Sequence, residues 1–318
     1  SLPFYFGEDS NLARCTLIGL QEHLETFQYQ SLKDFYDTWY HPGNQAVIVV
    51  GDVDVDRTEK TIRDLFSVIP AKENPLAKPI QSIADHAEPR VGIVTDPETT
   101  SPSVELIWHS EALPESVNAT VLGEVNDLMR SILRMVMRER FTDITSKPSS
   151  SYLSGSFGIS SLIYEDIDAV MGDVSLKEDD ILGGFRDFYT ELVRLQRYGI
   201  TDAEFDRVKA DYLSMMETRA NRAETRQNPE FVRPILQNFF DKEPILEPAD
   251  EKELVEVLFG QLNAAAVNQM VAGLVGSENL VVLYSGPEKE GIVTPTAEDL
   301  LKVIAEVNAS EIAAPEGE

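Results

Sequence analysis

The residues best suited to hold a metal, histidine and glutamate, meet at one place in the chain. Gly19, Glu22 and His23 occupy the first, fourth and fifth positions of an inverted H-x-x-E-H zinc motif. In that motif two histidines four apart on a helix face one side, and the glutamate between them acts as general base toward a metal-bound water. Glycine here replaces the first histidine. One ligand is lost, and a catalytic ion needs about three. Glu22 and His23 therefore read as a chance pair.

His41, His86 and His109 stand apart, in a turn, in a proline-rich stretch and at a strand end. No ligand-like spacing links them, so each reads as a surface or hydrogen-bonded residue unless folding gathers them. Ser154 to Gly158 has the outline of a nucleophile elbow, but its first position is serine where glycine is required, so it reads as flexible backbone before or within a strand. Gly183 and Gly184 lack the lysine and serine partners of a phosphate-binding loop. Arg130, Arg134 and Arg138 recur every fourth residue, with Arg140 close behind, and make a basic stripe on one helix. Such a stripe meets an acidic surface of its own protein or a substrate carboxylate.

The elements that position these groups follow from apolar spacing. Helical periodicity runs from Leu17 to Phe27 and again after Ser31, where Ser31 and Asp34 suggest a capping box. Pro42 and Gly43 stop that second helix. Ala46 to Val50 is apolar on both faces, as in a strand buried between layers, and Gly51 ends it. Arg57 to Ile69 is a short amphipathic helix. Four prolines between Pro70 and Pro89, with no packing period, mark residues 71–88 as a linker. Strands are predicted at Arg90–Thr95, Val104–His109, Ser151–Ile163, Ile167–Val174 and Leu280–Tyr284, the last broken by Gly286 and Pro287. The longest amphipathic helix covers residues 119–141, with Val121, Leu122, Val125, Leu128, Met129, Ile132, Leu133 and Val136 on its apolar face. Further helices are predicted at Asp179–Gln196, from a Thr201/Glu204 capping box toward Arg222, after Pro229, at Glu251–Phe259, at Ala264–Val275, and at Ala297–Val307 behind Thr296 and Asp299.

With 318 residues, about two domains are expected. Fifty-five acidic against 27 basic residues give a net charge of −28, which repels phosphate backbones and anionic membranes, so nucleic acid is excluded as a partner. The charge keeps the surface solvated and could also draw basic peptides. Cys15, the one cysteine, rules out an internal disulfide framework and reads as a small buried residue. No apolar run is long enough to span a bilayer, and the first residues lack the features of a signal peptide.

One passage is more specific. Ala13-Arg-Cys-Thr-Leu-Ile-Gly19, followed by Phe35, Tyr36, Trp39, Tyr40, Pro42, Asn44 and Val50, Gly51, Asp52, resembles the run that closes a catalytic domain in the pitrilysin/insulinase family of zinc metallopeptidases. Cys15 to Leu17 departs slightly, standing where such proteins often have a proline. Met137 to Phe141, Gly199 to Phe205 and Ser285 to Gly291 follow in the family's order. The resemblance implies an α+β fold with helices packed on an antiparallel sheet. Residues 1–70 are then the C-terminal part of a first, catalytic-type domain, 89–310 a second, non-catalytic homologous domain, and 311–318 a frayed tail. It implies zinc in the full-length parent and none in this chain, since both zinc histidines, the glutamate base and a third ligand, also glutamate, lie upstream in the family. The expected partners are the rest of the parent peptidase, including a second half, fused or separate, and peptide substrates. The expected role is to form wall and sheet of a chamber in which extended peptide pairs with a sheet edge. The lone cysteine and two-domain build point to a bacterial periplasm or envelope. Two other readings stay open: a non-catalytic peptide-binding or scaffolding subunit of the same fold, like a processing-peptidase partner, and a free-standing helical-sandwich binding domain.

Overall fold

The computed structural model describes residues 2–8, 10–14 and 19–315. Cys15, the start of the helix predicted from Leu17 and the end of the acidic tail lie outside the described residues. In chain order the elements are α1 (Leu2–Phe6), α2 (Gln21–Thr26), α3 (Tyr29–Trp39), α4 (Val55–Phe66), β1 (Arg90–Asp96), β2 (Ser103–Glu111), α5 (Glu115–Asn118), α6 (Val121–Thr145), β3 (Tyr152–Leu162), β4 (Tyr164–Leu176), α7 (Ile181–Tyr198), α8 (Asp202–Asn221), α9 (Asn228–Asp241), α10 (Pro248–Phe259), α11 (Ala264–Val271), β5 (Leu280–Pro287) and α12 (Ala297–Ala309).

The architecture is α+β. Five strands form one sheet in the order β1, β5, β2, β4, β3. Every pairing is antiparallel except that of β1 with β5. β5 lies between β1 and β2 and is covered on both faces, which is why Leu280 to Tyr284 is continuously apolar. The strand runs on to Pro287, past its predicted break, because proline is tolerated in the last pair of the ladder, opposite Asp96.

The two faces of the sheet have different covers. Val104, Leu106 and Trp108 of β2 join the larger core beneath α6, α7, α8 and the later helices, where Phe141, Tyr152, Phe185, Phe188 and Leu192 are buried. Ile107, pointing the other way, joins Ala169, Val281, Phe6, Leu12 and Ala13 in a smaller core, so the N-terminal residues roof the opposite face. The Tyr5 hydroxyl donates to Glu105 there at 2.7 Å. Glycine permits close packing on the helical side: a Cβ on Gly155 would sit 3.0 Å from the Phe141 ring and 3.2 Å from that of Phe188. The failed nucleophile elbow thus lies within β3.

Local signals set several helix ends. Thr201 and Glu204 form a reciprocal capping box on α8, and Thr296 and Asp299 do so on α12. Ser31 and Asp34 do not: α3 begins at Tyr29, which puts Ser31 inside the helix, and its N-cap Gln28 makes no side-chain cap. On α6, Leu128, Ile132, Leu133 and Val136 are buried as predicted, whereas Val121 and Leu122 are exposed, because the apolar face meets the sheet only after the first turn.

The predicted strand at Ala46–Val50 is absent. Residues 45–50 have no regular secondary structure, no strand lies beside them among the described residues, and Val47 and Val49 are each 47% exposed. A ladder needs a partner to accept its hydrogen bonds. Residues 67–89 carry no helix or strand, yet their later part is tied to the sheet. Gln81 N donates to Asp166 at 3.1 Å, and His86 exchanges hydrogen bonds with Asn279, each 2.8 Å.

Candidate functional site

The aromatic and turn residues singled out near the start of the chain form an exposed surface feature. The Tyr36 and Tyr40 rings stack at 4.9 Å, with Phe35 edge-on to Tyr40 at 6.4 Å. Leu32 adjoins them in an open pocket, and Trp39 is half-buried. Pro42 to Asn44 make a single tight turn, pinned by Asn44 Nδ2 donating to Trp39 O at 3.1 Å, and Gly51 and Asp52 form an exposed bend. Glu22 and His23 lie exposed on α2. No group of three or more His, Cys, Asp or Glu side chains among the described residues could hold a metal ion.

Folding does gather two of the scattered histidines. His86 and His109 have ring centroids 5.5 Å apart, and His109 is only 5% exposed. Burial, together with the positive charges of His86 and Arg90, brings the His109 imidazole down to about 4, against a smaller opposing pull from Asp85. His41 is buried alone.

The arginine stripe divides. Arg140 donates to Glu204 through Nε at 2.6 Å and Nη2 at 2.8 Å, and also to Gly199 O at 3.0 Å, locking α6 to the start of α8. Glu204 is consequently held below the ordinary glutamate range: burial alone raises it, but the hydrogen bonds from Arg140 and Thr201 outweigh that. Arg130 meets Asp168 of β4 at 2.5 Å. Arg130 and Arg134 both line a cleft.

That cleft, about 1010 Å³ in volume, lies between α6, the Ile159–Ser161 stretch of β3, α8 and α9. β3 is the outermost strand, so one side of its backbone has no strand partner among the described residues, and its Ile159, Ser160 and Ser161 line the cleft. Glu124 and Asp127 of α6, Glu243 beyond α9 and Glu251 of α10 also line it. Burial raises the Glu124 and Glu243 carboxyls, and the neighbouring charge of Asp127 raises both further. Chemically the cleft offers carboxylates, the arginines Arg130, Arg134, Arg219, Arg226 and Arg233, and an edge strand, groups that can hydrogen-bond an extended chain. The cleft is not legible in the sequence, since its carboxylates come from four separated segments, Glu230 of α9 among them. The only local signal was Glu124 and Asp127 at helical spacing ahead of Arg130 and Arg134.

Residues 26–212 match the family model described as the peptidase M16 inactive domain. The chain belongs to that family. A similar curated relative is the probable zinc protease PqqL of Escherichia coli, 22% identical over 265 residues, which covers 83% of this chain and 28% of the relative. The crystal structure of the periplasmic protease PqqL from that organism superposes with a TM-score of 0.84 at 18% identity, covering 99% of this chain and 34% of that one. The structure of the first half of PqqL gives 0.83, with 99% and 67% covered. The chain thus spans about a third or less of these full-length relatives. Membership in the M16 inactive-domain family agrees with the α+β fold, the pitrilysin/insulinase resemblance and the reading as a non-catalytic portion.

Proposed function

We propose that this chain forms a non-catalytic wall of a larger zinc metalloendopeptidase, with the zinc, its ligands and the glutamate base carried elsewhere in the parent. The observation that carries this is the match of residues 26–212 to an inactive domain, in a chain spanning 28% of a relative named a zinc protease. In this reading residues 1–70 complete a catalytic-type domain, 71–88 link it to the second domain at 89–310, and the stacked Tyr36 and Tyr40 with the unpaired 46–50 segment lie against the remainder of the first domain. Peptide substrates run extended along the free edge of β3, and a second half, fused or separate, closes the chamber. The name of the PqqL structure supports placing the parent in a bacterial periplasm.

The test is cleavage of a quenched mixed-sequence peptide pool by the full-length parent. Activity lost to a chelator and restored by zinc supports the proposal. No cleavage by a folded parent replaces it with the scaffolding or peptide-binding subunit.

A further inference from the structure

We propose that the corner of the sheet where Arg90, His86 and His109 converge is a binding site for a small oxyanion, a carboxylate or a phosphate. The register brings these residues together. Arg90 opens β1 opposite Val281, which itself pairs with Ile107 of β2. Two residues beyond Ile107, His109 projects from the same face of the sheet. His109 also stands one residue past Trp108, which pairs with Leu280, so it ends β2's contact with β5 beside Asn279. Asn279 fastens the strap that carries His86: its Nδ2 donates to Asp85 Oδ1 at 2.8 Å, and its Oδ1 accepts from His86 N at 2.8 Å. The N-terminal segment roofs the corner, and Gly7, at φ +83°, leaves room for the guanidinium: a Cβ there would lie 3.2 Å from Arg90 Nη2.

Three nitrogens in this corner are buried without a hydrogen-bond partner among the described residues: Arg90 Nη1, His86 Nε2 and His109 Nε2. An unsatisfied buried donor or acceptor costs about 1–3 kcal/mol, so three in one place need an explanation. His86 Nδ1 lies 2.7 Å from Glu88 O, which makes Nδ1 a protonated nitrogen and leaves Nε2 as the ring nitrogen without a partner. Arg90 forms no ion pair among the described residues. A planar guanidinium flanked by imidazoles suits a carboxylate or phosphate. A metal ion is the poorer occupant, since Arg90 is a permanent cation beside both rings and only two imidazoles are present. The charged groups bearing on His109 are His86 and Asp85 from the strap and Arg90 from β1. A bound anion offsets the repulsion from His86 and Arg90, so it favours a charged His109 and binds more tightly on acidification.

The experiment titrates the folded chain with phosphate and, separately, acetate, against chloride at matched ionic strength, and follows the histidine ring ¹⁵N resonances by NMR. Expected is saturable binding that raises the His109 titration midpoint, with affinity falling about tenfold or more in Arg90→Gln. Tighter acetate binding identifies a chain carboxylate as the ligand, and tighter phosphate binding a free tetrahedral anion. His86→Gln, on the strap, is the second variant in case Arg90→Gln does not fold, and it is expected to weaken binding severalfold. The proposal is overturned if neither anion moves the rings beyond chloride, or if both substitutions leave binding unchanged.

Discussion

Residues 20–66 and residues 90–309 obey the same sequence rules to different ends. In the second region the apolar residues of β2, β5, α6 and α7 close on one another, and Phe188 at the centre has no exposed surface. In the first, α2, α3 and α4 bury no residue, and Leu32, Phe35, Tyr36 and Tyr40 stand outward. Helix formation is comparable in both, because caps and spacing are local; Asp54 accepts from Arg57 N at 2.9 Å as neatly as the caps of α8 and α12. What differs is the availability of a second layer. An amphipathic element signals that it will be covered, without specifying by what.

The contrast can be tested. Amides of Leu280–Tyr284 should exchange with solvent slower than those of Ala46–Val50 by on the order of ten-thousand-fold, as read by hydrogen exchange; equal protection would remove the distinction. In denaturant, Phe188→Ala is expected to cost about 3–5 kcal/mol, since it leaves a cavity beside Phe141 and Tyr152. Phe35→Ala, by comparison, should shift stability by no more than about 0.5 kcal/mol. Glu204→Gln should cost about 3 kcal/mol at neutral pH, because it strands a buried guanidinium. Glu204 is held below its ordinary range, so its contribution is complete above that range and disappears as pH falls through the depressed value. The difference between Glu204→Gln and the parent should therefore shrink on acidification. Glu124→Gln, in the cleft, is the smallest and opposite in sign. Its carboxyl is raised, so the native state is penalised above that value; the substitution should stabilise by under about 1 kcal/mol at neutral pH, and the gain should vanish below the ordinary glutamate range.

The same division explains how much the sequence disclosed. Thr201 with Glu204, and Thr296 with Asp299, were legible because a capping box is settled within four residues. Ser31 with Asp34 carried the same pattern and failed, as α3 starts earlier and absorbs it. The five strands of the second region were found from apolar runs, whereas the one at Ala46–Val50 was not realised, because a strand is defined by its neighbour. The cleft and the histidine pair were hidden for a related reason. Glu124, Glu243 and Glu251 share a wall only after α6, α9 and α10 assemble, and His86 reaches His109 only through Asn279, far along the chain. The M16 resemblance was available from Tyr36 to Asp52 since that run is contiguous.

The position of β5 has a consequence for synthesis. β1 touches the rest of the sheet only through β5, which follows it in the chain only after β2, β3, β4 and the helices α5 to α11. At about 5–20 residues per second, β1 waits roughly ten to forty seconds on the ribosome with its ladder groups unmatched. Through that interval β2, β4 and β3 can zip into a hairpin-linked sheet with a gap beside β2. The nascent chain therefore presents the facing edges of β1 and β2 open until β5 inserts between them, and that is when this sheet is most exposed to pairing with a stranger.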